Sequence, residues 1–265
     1  VGDGVVGQDV RRTAGLWTRM VTRVRTLARD GIAALAISAV DVALWDLRGR
    51  LCGLPVFTLL GPIRSSVPIY GSGGFTSYSV AELCRQLAGW VTAGIPRVKM
   101  KIGRDPASDP RRVSAAREAI GPGAELFVDA NGAYQRKQAV FLAASFAASG
   151  VTWYEEPVYQ RDFVGLAQVR NAVPAQMEIS SGEYGYDPYY FEAMIDAGAV
   201  DVVQADATRC GGFSGLLAVD GISQARPTPV APPCAPPPPL DAAAAPPPQQ
   251  PRQSYHPHAP TDPRV

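Results

Sequence analysis

The sequence predicts an α/β fold, a (β/α) barrel that stops short of eight strands, and three observations predict it. Strand-end signals recur at a near-constant step: Val-Lys-Met-Lys (98–101), Val-Asp-Ala-Asn (128–131), Tyr-Glu-Glu-Pro (154–157), Ser-Gly-Glu (181–183) and Gln-Ala-Asp (204–206). From Lys101 to Asp129, Glu155, Glu183 and Asp206 the steps are 28, 26, 28 and 23 residues. Each step holds one strand, one helix and two loops, which puts each signal at the carboxyl end of a parallel strand. Apolar, β-branched runs alternate with helical patterns, the order that builds a parallel sheet. The 265 residues, 46% hydrophobic, can bury one large core.

Residues 9–29 read as a helix with a basic face. Ile37, Val40, Leu44, Leu47 and Leu51 then recur at spacings of three and four, defining an amphipathic helix that ends at Gly53-Leu-Pro. The first strand is expected at 66–70, followed by a Gly/Ser loop (71–74) and a helix over 79–93. Further strands are expected at 97–102, 125–130, 151–155, 176–181 and 200–205, with helices near 107–120, 135–149, 162–172, 187–198 and 213–224. A seventh strand would have to come from 228–233 and an eighth from the tail. Of the 25 prolines, 15 fall in residues 227–265. Proline has no N–H to donate, so neither segment is expected to form a central strand. The expected organisation is a helical portion (1–62), a barrel of about six strands (63–226) and an extended or disordered Pro-rich tail (227–265).

A formal net charge of +1 without a basic block excludes nucleic acid and anionic membrane surfaces as expected partners, leaving a small molecule. Cys52, Cys84, Cys210 and Cys234 are scattered and have no zinc-type spacing, so they read as free thiols. With no 18-residue apolar run and no leader pattern, the expected compartment is the cytoplasm. The chain does not open on Met, and an N-terminal portion is expected to precede it.

Asp129, Glu155 and Glu183 end three adjacent strands and should converge above the sheet. Hard oxygen ligands without histidine or thiolate suit Mg²⁺, with the substrate supplying further oxygens. Lys99 and Lys101 lie two apart on one strand, hence on the same face. Their mutual repulsion is expected to lower the pKa of at least one, giving a general base. A base beside a divalent cation is equipped to remove a proton α to a carboxylate, the cation stabilising the enediolate.

The series Val-Lys-Met-Lys-Ile-Gly, Phe-Val-Asp-Ala-Asn-Gly, Trp-Tyr-Glu-Glu-Pro, Gly-Glu and Asp-Ala-Thr-Arg-Cys-Gly-Gly, with Ala-Val-Asp-Val-Ala-Leu-Trp-Asp-Leu (39–47), resembles the enolase superfamily. The closest likeness is to its mandelate racemase/muconate lactonizing enzyme branch. The resemblance covers roughly 35–225. It implies an enolase-type modified TIM barrel preceded by the helical remainder of a capping domain, and a homo-oligomer that takes a carboxylate substrate such as an acid sugar or hydroxy acid. Position by position, it implies Asp129, Glu155 (rather than Glu156) and Glu183 as metal ligands, Lys101 as acid/base with Lys99 tuning it, Asn131 in the substrate pocket, and Asp206 orienting a second-base histidine on strand seven. Arg209 occupies about the place of the lysine used by the muconate-type subgroup.

At the place of that histidine the sequence has Pro233 or Pro232, and its only histidines are His256 and His258 in the tail. A reading-frame shift near residue 226 would give such a tail. The expected activity is therefore Mg²⁺-dependent acid-sugar dehydration. The alternatives are a racemase or epimerase of the same superfamily, and a catalytically inactive remnant with unprotected sheet edges. Arg209 is expected to pair with an acidic neighbour, Gly211-Gly212 to allow tight strand-to-helix packing, and Tyr184, Tyr186, Tyr189 and Tyr190 to pack.

Overall fold

The computed structural model describes residues 2–27, 30–62 and 66–233 and the backbone of 253–255. Three helices come first: Thr13–Arg23 (α1), Ile32–Cys52 (α2) and Val56–Leu60 (α3). The spacing-defined helix is α2, and Gly53 stops it in the left-handed conformation (φ 64°) that glycine adopts without steric cost. Strands and helices then alternate. Ile69–Gly73 (β1), Arg97–Lys101 (β2), Glu125–Asp129 (β3), Val151–Glu155 (β4), Glu178–Ser181 (β5) and Val202–Val203 (β6) are parallel neighbours in chain order. Between them run Val80–Thr92 (α4), Asp109–Ile120 (α5), Arg136–Ala148 (α6), Phe163–Ala172 (α7) and Pro188–Asp196 (α8), and Gly212–Ala225 (α9) follows β6. A capping box starts α4: Ser79 Oγ accepts from the Glu82 N–H, and the Glu82 carboxylate accepts from the Ser79 N–H at 2.9 Å.

Period-two alternation sorts each strand between two environments. Val98, Met100, Leu126, Val128, Tyr154, Ile179 and Val203 pack under the helices in the main core. On the other face Tyr70, Phe127, Trp153, Val202 and Ala231 form a plug, with Phe127 stacked on Trp153 at 5.4 Å and Tyr70 edge-on to Phe127 at 5.5 Å. Continuing up that inner face, the next positions are Ser72, Lys101, Asp129 and Glu155. The aromatic floor therefore sets the height at which the polar side chains stand.

The first strand differs from expectation, running over Ile69–Gly73 rather than 66–70. Pro68 cannot donate to the ladder, and of the residues expected as a loop Gly71, Ser72 and Gly73 are strand residues while Gly74 lies beyond the strand. A Cβ on Gly71 would stand 2.5 Å from the Trp90 ring and one on Gly73 2.6 Å from Gln86 Oε1, so their missing side chains let α4 lie directly on β1.

At the seventh and eighth positions the described residues form short edge pairings and no central strand, as expected. Val203 N–H donates to Pro229 O (2.9 Å) and Ala231 N–H to Val203 O (2.8 Å), so Val230 bridges β6 in parallel. Prolines flanking this site need only accept, which is why the sequence permits it. Residues Gln253–Tyr255 (β7) lie parallel to β1, Ile69 opposite Gln253 and Gly71 opposite Tyr255. This segment falls in the proline-free stretch 252–256. Among the described residues nothing pairs Val230 with β7, so the ring of strands is incomplete. The rest of the tail, with Cys234, His256 and His258, lies outside the described residues.

The N-terminal helices are keyed to the β6–α9 junction: Trp17 Nε1 donates to Gly211 O (2.7 Å), Trp45 Nε1 to Ser214 Oγ (3.1 Å), and the Gly211 N–H to Ser38 Oγ (2.9 Å). Cys52, Cys84 and Cys210 are free thiols. No helix among the described residues is long and apolar enough to cross a membrane.

Candidate metal and proton-transfer site

Asp129 ends β3, Glu155 ends β4 and Glu183 follows β5, and one oxygen from each lies within 4.8 Å of the other two. All three are buried. The chain turns sharply just after two of them: Asn131 (φ 45°) and Glu156 (φ 40°) are the non-glycine residues in the left-handed region among the described ones. The Asn131 turn is held by its N–H donating to Asp129 Oδ1 (2.8 Å), a local bond that suits asparagine to this conformation. Glu156 has no such compensation, and strain of that kind collects at functional sites.

Lys99 and Lys101 enter from β2. Lys99 Nζ pairs with Glu155 Oε2, lies 3.6 Å from Asp129 Oδ2 and sits over the Tyr70 ring; Lys101 Nζ pairs with Asp129 Oδ2. The expected lowering of a lysine pKa is corrected here. Burial pushes both ammonium groups down, but Glu155 and Asp129 beside Lys99, and Asp129 beside Lys101, more than offset it and hold both above their ordinary values. The repulsion predicted from the sequence exists, since Lys99 lowers Lys101. It is outweighed because the sequence argument counted two cations without the carboxylates across the ladder.

The carboxylates respond unequally. Asp129, buried but held between two lysines, is held below its ordinary value, whereas burial and the adjacent Asp129 push Glu155 above its own. Glu155 Oε1 is buried without a hydrogen-bond partner among the described residues. An orphaned buried acceptor is costly, and in a cluster of three carboxylates it fits a divalent-cation ligand. Glu156 is placed differently, its Oε1 meeting the Ser181 hydroxyl at 3.5 Å.

The remaining predicted residues surround this cluster. Asn131 Nδ2 donates to Glu183 Oε1 (3.3 Å). Asp206 Oδ1 accepts from the Thr208 N–H and hydroxyl, both at 2.7 Å, and its Oδ2 stands 3.5 Å from Arg209 Nε. It thus caps the turn into α9, and Arg209 has the acidic neighbour expected for it. Arg209 also stacks on Tyr184 (4.6 Å) and donates to Glu183 O. Tyr190 packs against Phe163 and Phe191, as expected of the tyrosine cluster. Tyr184 lines the cavity instead.

That cavity, about 540 Å³, opens above the carboxylates. Lys99, Lys101, Asn131 and Glu183 line it together with Ser72, Thr76, Arg104, Tyr184 and Arg209. Sequence reasoning missed Ser72, which lies in β1 where a loop was expected, and Thr76 and Arg104, which lie in loops without a periodic signal. Arg104 could have been found from its place three residues beyond Lys101, in the loop leaving the same strand end.

Residues 80–260 match the enolase C-terminal domain-like family, and residues 1–61 match the mandelate racemase / muconate lactonizing enzyme N-terminal domain. The D-galactarolactone cycloisomerase of Agrobacterium fabrum is 35% identical over 214 residues, covering 79% of this chain and 56% of that protein. The L-talarate/galactarate dehydratase of Salmonella typhimurium is 33% identical over 234 residues, covering 88% and 58%. The chain thus spans little more than half the length of these relatives. Among solved structures, a mandelate racemase/muconate lactonizing enzyme-like protein from Rubrobacter xylanophilus is 47% identical with a TM-score of 0.91, covering 96% of this chain and 70% of that one. The L-talarate dehydratase of Polaromonas sp. JS666, complexed with Mg and L-glucarate, is 30% identical with a TM-score of 0.89, covering 97% and 71%.

Proposed function

The chain belongs to the mandelate racemase/muconate lactonizing enzyme branch of the enolase superfamily, and we propose that its site removes the α-proton of an acid-sugar carboxylate with magnesium bound, leading to dehydration. The observation that carries this reading is the buried trio Asp129, Glu155 and Glu183, with Glu155 Oε1 unpartnered, set directly beside Lys101. The three carboxylates are the proposed magnesium ligands. When bound, the ion supplies an electrostatic sink for the negative charge that the substrate carboxylate gains as the α-proton leaves.

The chain's own side chains account for the proton movements. Asp129 holds Lys101 protonated, and a cation on the Asp129 carboxylate would withdraw that charge; Lys101 Nζ, then neutral, would accept the α-proton, with the Lys99 ammonium beside it further weakening its hold on a proton. Asn131 and Ser72 offer hydrogen bonds to substrate hydroxyls at the cavity wall. In dehydration the α C–H bond breaks and its electron pair passes into the enediolate; that pair then forms the Cα–Cβ double bond as the β C–O bond breaks, and the Lys101 ammonium returns its proton to the departing oxygen, which leaves as water. One base on one face suffices for this sequence. Racemisation needs a second base on the opposite face, and the sequence has no histidine in the strand-seven segment to provide it.

The test is exchange of the α-proton in D₂O across a panel of aldonic and aldaric acids, with and without Mg²⁺. Mg²⁺-dependent exchange that disappears in Lys101→Ala is expected. A folded, Mg²⁺-binding chain that exchanges none of them removes this reading in favour of an inactive remnant.

A further inference from the structure

Asp109 and Arg112 stand one turn apart at the start of α5, both buried and both behind the cavity wall rather than in it. Opposite charges at this spacing ordinarily pair with each other. Among the described residues these two form no mutual ion pair, and their side-chain hydrogen bonds go to loops at the strand ends instead. Burying two charges in this way is costly, so what they hold in place needs an explanation.

Arg112 grips the connection between β1 and α4. Its Nη1 donates to Tyr78 O (2.9 Å) and its Nη2 to Phe75 O (3.2 Å), the two ends of a turn that the Tyr78 N–H closes on Phe75 O (3.0 Å). The rigid guanidinium fork lets one side chain hold both carbonyls. Asp109 joins the next two connections, its Oδ2 accepting from the Gly103 N–H (2.8 Å) beyond β2 and from the Tyr134 hydroxyl (2.5 Å) beyond β3. Those loops meet closely, since a Cβ on Gly103 would stand 2.6 Å from the Ala133 Cβ. Together the three connections supply Phe75, Thr76, Gly103, Arg104, Asn131 and Ala133 to the cavity wall. Lys101, Asp129 and Glu155, by contrast, are held by the strand ladder itself.

We propose that Asp109 and Arg112 are positioning residues, which from behind the wall hold these three loops in a single arrangement so that a substrate meets a preformed surface. The proposal rests on the magnesium and Lys101 reading of the same cavity. Loops that must be ordered by the ligand subtract that cost from its affinity. The groups that bind the metal and move the proton are fixed by the ladder, so the effect of the pair falls on substrate binding and spares the metal and the proton transfer.

The experiment compares the full chain with Arg112→Met and Asp109→Ala in three ways: amide hydrogen exchange, titration with Mg²⁺ alone, and steady-state α-proton exchange of the panel acid that the parent exchanges fastest. Faster amide exchange is expected over 75–78 in Arg112→Met and over 103–104 and 131–134 in Asp109→Ala, with Mg²⁺ affinity within about threefold of the parent. KM for the acid should rise by about tenfold while kcat stays within about threefold. Arg112→Lys and Asp109→Asn keep part of the hydrogen bonding, so they should recover part of the KM, and they carry the test if the truncated variants do not fold. Loop amides as protected as in the parent, or a fall in kcat at unchanged KM, overturn the assignment. Deprotection spread through the barrel with loss of Mg²⁺ affinity also overturns it, leaving the pair as general support for the fold. If the parent exchanges no acid, the proton-transfer reading falls by itself, and the hold of Asp109 and Arg112 on the loops is decided by amide exchange and Mg²⁺ affinity.

Discussion

Asp41, in the middle of α2, accepts from both the backbone N–H (2.9 Å) and the hydroxyl (2.7 Å) of Ser214, in the first turn of α9 more than 170 residues away. The carboxylate therefore caps α9 from outside, in a position its own N-cap, Gly211, cannot fill for want of a side chain. Gly212 makes room for it, since a Cβ there would fall 2.2 Å from Asp41 Oδ2. Asp41→Ala would strand two buried donors and remove the cap, with an expected loss of about 3 kcal/mol in urea denaturation. Gly212→Ala should also destabilise, and combining the two should cost less than their sum, because removing Asp41 removes the clash. Strict additivity would mean that the two residues do not meet.

The same carboxylate predicts a pH dependence opposite in sign to ordinary acid unfolding. Burial raises Asp41 to about 6 from an ordinary 3.8, the hydrogen bonds from Ser214 offsetting only part of that. A carboxyl group with a raised folded-state pKa binds its proton more tightly when folded. Its contribution is therefore fully present below about pH 4 and is lost as pH rises through about 6. Other carboxylates destabilise the fold in acid, so the comparison must be made with Asp41→Asn. The parent should lose on the order of 2 kcal/mol relative to that variant between pH 4.5 and 7.5. A constant difference across the window would place the Asp41 carboxyl at its ordinary value.

Lys99 is a counter-ion of the buried Glu155 carboxylate and lies 3.6 Å from Asp129 Oδ2. Without it, Glu155 and part of the Asp129 charge would be buried uncompensated, so Lys99→Met should destabilise the metal-free chain by about 3 kcal/mol. Mg²⁺ at the same carboxylates should restore much of this loss. Urea midpoints in EDTA and in Mg²⁺ give both values. An identical loss in the two conditions would show that the lysine and the metal do not share these ligands.

The parts legible in the sequence were those encoded locally. The spacing from Lys101 to Asp206 placed the strand ends, because each βα unit buries the same two faces and so takes a similar length. Lys99 and Lys101 were assigned to one face by alternation alone. The failures have physical causes of another kind. β1 was misplaced because Gly71 and Gly73 are ordinarily turn residues, and only the Trp90 and Gln86 side chains explain them in a strand. The direction of the lysine shifts depended on Asp129 and Glu155, which reach Lys101 and Lys99 only through the ladder. Nothing local marks the role of Asp41, since its partner Ser214 is set by the packing of α2 on α9. Arg104 belongs to no periodic pattern, and its one signal was its place in the loop just beyond Lys101.

The two adjacent glutamates offer the sharpest test of the metal reading. Glu155 lies within the oxygen cluster, whereas Glu156 stands outside it, one oxygen meeting Ser181 and the other buried without a partner among the described residues, as Glu155 Oε1 is. Both are fully buried, so a nonspecific effect of removing a buried carboxyl should appear in both variants. Glu155→Gln should weaken Mg²⁺ binding by at least about tenfold, because an amide oxygen lacks the charge that a hard dication requires. Glu156→Gln should leave it within about threefold. Binding linked to folding also stabilises the chain, by about 2.7 kcal/mol when free Mg²⁺ is one hundred times its Kd, and that increment should vanish in Glu155→Gln alone. If Glu156→Gln proves the more damaging to Mg²⁺ affinity, the ligand assignment within this pair is reversed.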